Sequence, residues 1–343
     1  MNWKKFRHQF FKIFFGLLLI VYFLFVVIYG FLFLGPAPKP TKAQNATWGI
    51  NFSHKQAEAL GLDWQETFLA LADDLSAEYW RIPIYWDEIE KKPGEFDFSD
   101  YTWMFDLARS KEIEIVPVIG RRVPRWPECH TPEFYQNLSS NDIKQKILNL
   151  ITLEIEQFKS YDNIKKWQID NEPFLDFFGE CPLTDENLIK KEIALVRELD
   201  ARPILITESG ELSSWLNGAR LADILGVSMY RETWNKNWGW FQYPLPPAYY
   251  YFKGKIVQWL THVKKIINTE LQAEPWAEEN DLTKTKLQDQ LYSMDLTEIK
   301  SNLKFAKKAG QDEIYIWGVE WWWWLGQKHN QWDIWEYFKT QNF

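Results

Sequence analysis

From Trp48 onward the chain alternates between strand-like apolar runs and helix-like stretches, and this alternation restricts the fold more than any other feature. Strand-like runs fall at 48–53, 79–86, 114–120, 203–209, 224–230 and 313–321. A fourth lies within 164–173, and a seventh ends at Glu274. Helices are expected at 63–75 (with Asp63 as N-cap), 141–159, 184–199, 252–265, 282–309 and 332–338. A turn followed by a helix is expected within 94–112. Eight strands separated by helices match a (β/α)8 TIM barrel in count and size. An open doubly wound sheet is the alternative, but no Gly-rich phosphate loop follows any strand.

Upstream, residues 13–34 carry no charge, and that stretch is long enough to cross a bilayer as one helix. Lys4, Lys5, Arg7 and Lys12 precede it. The positive-inside rule then places a basic tail, 1–12, in the cytoplasm and the rest of the chain outside the membrane. A cleaved signal peptide is the rival, but its apolar core would be shorter and would end in small residues. The expected reading is an uncleaved signal anchor. Residues 35–47 follow as a linker in which Pro36, Pro38 and Pro40 favour extended backbone. Asn45-Ala46-Thr47 is a glycosylation sequon where the pathway glycosylates. The domain of interest is then 48–343.

Composition removes several function classes. The formal net charge is −8, with no basic patch beyond the N-terminus, which argues against a nucleic-acid partner. The five histidines are scattered and the two cysteines form no CxxC, so no metal site and no cofactor is expected. No obligate protein partner is inferred. The 21 Trp, 15 Tyr and 24 Phe suit stacking on the apolar faces of sugars as well as a core.

Two strand ends carry the chemistry. Trp167-Gln168-Ile169 runs into Asp170-Asn171-Glu172-Pro173, and Pro173 cannot donate to a strand ladder. Glu172 is thereby left at a strand mouth, where partial burial raises a carboxyl pKa toward neutrality and suits a general acid. An ordinary surface Glu in a turn is the plainer alternative. Residues 266–276, IINTELQAEPW, repeat the pattern and end in Glu274-Pro275. A pair of carboxyls on different strands is what glycoside hydrolysis requires: one protonates the leaving oxygen, and the other attacks the anomeric carbon or activates water. Arg81, Trp86, Glu208, Tyr230, Trp317, Glu320 and Trp321 lie at other strand ends and are expected around the same mouth.

This layout resembles the retaining glycoside hydrolases of clan A, the (β/α)8 superfamily that includes family 5 cellulases and mannanases. The resemblance covers about 48–343 and rests on Asn171-Glu172-Pro173, on Glu274, and on GEFDFSDYTWMFDLA in the second βα unit. It implies Glu172 as acid/base and Glu274 as nucleophile. Asn171 would bond the sugar 2-hydroxyl, Arg81 and Tyr230 would hold the nucleophile, and Trp317 would floor the sugar subsite. Glu208, Trp86 and Trp321 are further substrate-binding candidates. ITES at 206–209 also looks like a nucleophile strand of related families, which keeps Glu208 as the alternative. A carboxyl separation of about 5–5.5 Å is expected for the retaining geometry.

In the run Trp321–Trp324, alternation along a continuing strand would allow two of four side chains into the cleft. Cys129 and Cys181 follow strands three and four, and a disulfide or two buried thiols are the alternatives. The aromatic loop 231–251 is read as a substrate wall, with packing over the barrel's outer helices as the alternative. These features together imply a membrane-anchored, extracytoplasmic glycosidase that cleaves β-linked poly- or oligosaccharide. Transglycosylation uses the same residues. A non-catalytic carbohydrate-binding barrel and a structural envelope protein with a plugged cleft are the rivals from other classes.

Overall fold

The computed structural model describes residues 3–35, 46–235, 239–277 and 281–340. Most of the Pro-rich linker and Asn45 of the sequon lie outside the described residues. Eight parallel strands close into a barrel: β1 (Thr47–Asn51), β2 (Tyr79–Pro83), β3 (Glu114–Ile119), β4 (Trp167–Ile169), β5 (Ile204–Glu208), β6 (Ile224–Met229), β9 (Lys265–Gln272) and β10 (Glu313–Trp317). Two further strands, β7 (Glu232–Asn235) and β8 (Gly239–Gln242), form an antiparallel hairpin after β6. The TIM barrel expected from the alternation is present, and β10 pairs with β1 to close it.

The helices start where the sequence places caps. Asp63, Ser139, Asp185 and Asp295 each accept a backbone N–H of the first helical turn, as N-caps do. Their apolar faces pack outside the strands. Inside, Val116, Leu205, Ile267 and Tyr315 form a small buried layer. Gly49 makes room for it: a Cβ there would lie 2.8 Å from the Tyr315 ring. Below this layer Lys166 and Lys265 both pair with Glu313, closing the floor of the barrel with charge. The catalytic end of a TIM barrel is the opposite one, at the C-terminal ends of the strands.

Several boundaries differ from the sequence reading. The helix expected at 252–265 runs from Pro247 to Leu260, because proline is well placed in a first helical turn. The stretch 282–309 divides into a short turn and helices 287–293 and 296–308. The eighth strand stops at Trp317 instead of running to Trp321. Gly318 adopts φ +101°, where side chains are strained, and Val319–His329 is a helix. The four tryptophans therefore lie on a helix and not on a strand.

At the N-terminus, Trp3–Tyr29 is one helix continued by wider turns over Gly30–Leu34. Its Phe10–Val27 stretch has a mean hydropathy of 2.7 and buries nothing against the barrel. By length and composition it can cross a membrane, and a signal sequence would satisfy the same description.

Candidate active site

The centre of the barrel mouth is Arg81, which is 1% exposed. Its guanidinium donates to Gln168 Oε1 (2.6 Å), Asn51 Oδ1 (2.8 Å), Asn171 Oδ1 (2.8 Å) and Glu270 Oε1 (2.8 Å). An arginine can be buried this deeply only when its donors are met by fixed acceptors and one carboxylate. The Tyr230 hydroxyl donates to the other oxygen of the same carboxylate, Glu270 Oε2, at 3.1 Å. Arg81 and Tyr230 thus converge on a strand-seven glutamate, as expected, but it is Glu270 and not Glu274.

A bulge in β9 brings Glu270 to this position. Its neighbour β6 pairs Val227 with Asn268 and then Ser228 with Glu270. On the other side, β10 pairs Ile314 with Asn268 and Ile316 with Leu271. Both neighbours therefore record one extra residue in β9. Ile267 belongs to the interior layer, and Thr269 faces Gly226 across the same interior. Plain alternation would turn Glu270 outward, whereas the extra residue returns it to the interior and sends Leu271 to the outer core.

Glu172 sits at the end of β4 in left-handed backbone, φ +41°, with its N–H held by Thr207 Oγ1 at 2.8 Å. Its pKa lies well above the ordinary carboxyl value, first because burial penalises the charged form and then because the charges of Glu270 and Glu128 oppose ionisation. The Ser228 hydroxyl opposes that shift by hydrogen-bonding the carboxyl. Asn171 connects the two carboxyl settings: its Oδ1 accepts from Arg81, and its Nδ2 donates to Glu128 Oε2 at 2.9 Å.

Glu172, Glu270, Asn171, Tyr230 and Trp317 line one cleft of about 280 Å³. Glu128 and Glu211 also line it, and burial pushes each carboxyl up to about 7. Among the described residues the cleft is carboxyl-lined, and no apolar plug covers Glu172 or Glu270. Trp276 and Phe178 meet at its rim with ring centroids 6.1 Å apart, and Trp276 also meets Tyr230 at 5.4 Å. Thr233 and Tyr243, from the aromatic loop 231–251, complete one wall.

Glu274 lies two residues past β9 and is held by Arg125. Arg125 also donates to Glu320 Oε2 at 3.2 Å, and its guanidinium lies 4.0 Å from the centre of the Trp317 ring. The Trp317 face therefore carries a cation in this structure. Burial pushes the Glu320 carboxyl up to about 7 against the pull of Arg125. Loop 121–130 supplies Arg125 and Glu128 and is joined to the loop after β4 by the Cys129–Cys181 disulfide.

Three candidates lie elsewhere. Trp86 starts the helix Trp86–Ile89, is buried, and donates to Glu90 Oε2 at 2.6 Å, so it belongs to the core. Glu208 accepts from the Gly218 N–H at 2.6 Å and fastens helix Leu216–Leu221 behind β5, away from the cleft. Trp321 is buried on its helix and donates to Gln290 Oε1 at 2.7 Å. Arg125, Glu128, Glu211 and Glu270 were missed by the sequence reading. The first two stand in RRVPRWPECH directly after strand three, a dense polar and aromatic run that could have marked them as barrel-mouth residues. Among the described residues, no group of three or more His, Cys, Asp or Glu side chains is placed to hold a metal ion.

No protein-family model and no curated protein sequence matches the chain. Solved structures match its fold. GH5_18 from Streptomyces cattleya, in complex with GlcNAc, superposes with a TM-score of 0.54 at 10% identity, over 80% of this chain and 70% of that one. Xylanase 10B from Thermotoga petrophila, in complex with xylobiose, gives 0.53 at 12%, over 82% and 85%. A β-galactosidase from the psychrophilic Marinomonas ef1 gives 0.52 at 11% over 79% of this chain, which spans about half, 53%, of that enzyme. At these identities the likeness is one of fold.

Proposed function

We propose that the chain is a retaining glycosidase acting on β-linked oligo- or polysaccharide, with Glu172 as acid/base and Glu270 as nucleophile. The observation that carries this reading is the unlike setting of two facing carboxyls. Glu270 is paired with Arg81 and bonded by Tyr230, while Glu172 makes no ion pair among the described residues and is held toward its protonated form by burial and by Glu270 itself. Two carboxyls whose environments are pushed apart can divide the roles of base and acid. In the first step a Glu270 oxygen bonds the anomeric carbon while the leaving oxygen takes the Glu172 proton. In the second, Glu172 removes a proton from water, whose oxygen displaces Glu270 and restores both carboxyls. Asn171 is placed beside both groups to bond a sugar hydroxyl, and the Trp276–Phe178 rim offers rings for stacking. The structural neighbours named above include enzymes that act on glycosidic bonds, which supports the class. The apolar N-terminal helix supports a single-pass anchor, with the basic tail cytoplasmic and the barrel outside.

The test is a panel of β-linked glycans incubated with the full chain, with reducing ends and product lengths measured. Release with retained anomeric configuration is expected. Longer products would make it a transglycosylase. A glycan that is bound and never cleaved would identify a binding barrel instead.

A further inference from the structure

Helix 247–260 has two unlike faces. Tyr250, Gly254 and Val257 are buried against the barrel. On the opposite side Ile256 is 40% exposed, Trp259 82% and Leu260 52%, so three large apolar side chains within five residues face solvent. At about 100° per residue, Tyr249, Ile256, Trp259 and Leu260 fall within one stripe roughly 100° wide. The stripe begins where the apolar N-terminal helix ends. The Phe33 ring lies 5.9 Å from Tyr249, and Phe33 in turn stacks on Tyr29 at 4.6 Å. The segment that leaves the apolar helix is therefore packed on one end of the stripe, and the uncovered remainder continues from that contact. Lys255 and Lys264, both exposed, flank it.

We propose that this face of helix 247–260 is a membrane-docking surface that lies in the headgroup region of the bilayer the N-terminal helix enters. Exposed apolar stripes on soluble barrels are costly, whereas an interfacial helix buries them beside lipid. Trp is favoured at the membrane–water boundary, and lysines reach from there to lipid phosphates. The occupant follows from continuity: the chain that abuts the stripe is the chain that enters the membrane. The inference rests on the anchor reading above.

The experiment uses the full chain in phosphatidylethanolamine–phosphatidylglycerol vesicles. A thiol-reactive dye is placed on Trp259→Cys under non-reducing conditions, and on Tyr292→Cys, at a side chain 94% exposed, as reference. Lipid spin-labelled near the top of the acyl chain serves as quencher. Quenching at 259 should exceed that at 292 by about twofold or more. Equal quenching in a chain that resists alkaline carbonate extraction overturns the docking inference and leaves the anchor intact. Dye self-quenching between copies at 259 without lipid quenching would make the stripe a self-association face and overturn it equally. Removal of the chain by carbonate refutes the anchor, and the inference falls with it.

Discussion

Replacing Glu270 by Gln separates the two candidate nucleophiles. The amide keeps the volume, and Arg81 keeps its bonds to Gln168, Asn51 and Asn171, so the fold should survive. Under the proposed mechanism, what is lost is a carboxylate held against the anomeric carbon. A group so held acts at an effective concentration of about 10⁵–10⁸ M against about 55 M for water, so kcat should fall about 10³–10⁶-fold. Glu274→Gln is different. Arg125 keeps Glu320 and the Trp317 face, and among the described residues Glu274 hydrogen-bonds Arg125 and not Arg81 or Tyr230. Its cost should be about tenfold, one step of 1.4 kcal/mol, or less. The assay is kcat on an aryl β-glycoside for both variants, with thermal unfolding run beside it. Azide added to Glu270→Gly should restore turnover and give the inverted glycosyl azide. A Glu270→Gln enzyme within tenfold of wild type, beside a dead and folded Glu274→Gln, would refute the assignment.

Three further outcomes follow from the geometry. Because the proposed acid, Glu172, has to be protonated to act and its pKa is raised, the alkaline limb of kcat/KM should lie above the ordinary carboxyl range, and Glu172→Gln should flatten it. The linked stability has the same sign. With a raised folded pKa, the carboxyl's contribution is full below its ordinary 4.5 and is lost as pH rises through the folded value. Glu172→Gln should therefore unfold at a higher temperature than wild type at pH 9, with the gap closing at pH 4. Gly318→Ala should be destabilised by about 2 kcal/mol or more in chemical denaturation: its φ of +101° strains any side chain, and the new Cβ would lie 2.3 Å from Glu274 Cβ.

The alternation of strands and helices was legible because its two periods, 2 and 3.6, are written in the apolar pattern over long spans. Glu172 was legible because Pro173 marks a strand end. Arg81 and Tyr230 were legible as partners of a strand-seven carboxylate, but which carboxylate was not. Glu274-Pro275 copies the Glu172-Pro173 signal, whereas Glu270 depends on a bulge that only pairing with β6 and β10 reveals. Trp86 and Trp321 were misplaced for a related reason. An aromatic beside a strand end can turn into the mouth or into the core, and the turn is set by local backbone. Gly318 starts a helix where a continuing strand was expected, and Tyr85 starts another directly before Trp86. Arg125 and Glu128 arrive on a loop whose path is fixed by contacts far apart in sequence.

The extra residue in β9 also bears on how such a chain can change over time. Loops of a barrel absorb insertions and deletions because nothing downstream depends on counting through them. In β9 the outcome depends on which residue stays out of the ladder. If Thr269 paired with Ser228 in place of Glu270, plain alternation would turn the Glu270 carboxyl away from Arg81 and bring Leu271 into the mouth in its place, whereas loss of Thr269 would leave Glu270 opposite Ser228 and inward. The barrel could close in either case, since β6 and β10 lack the extra residue. Descendants that lose the extra residue would keep both the architecture and the inward carboxyl, whereas descendants that draw it into the ladder would keep only the architecture. The pairing of β9, more than its length, would then separate active members of this lineage from silent ones.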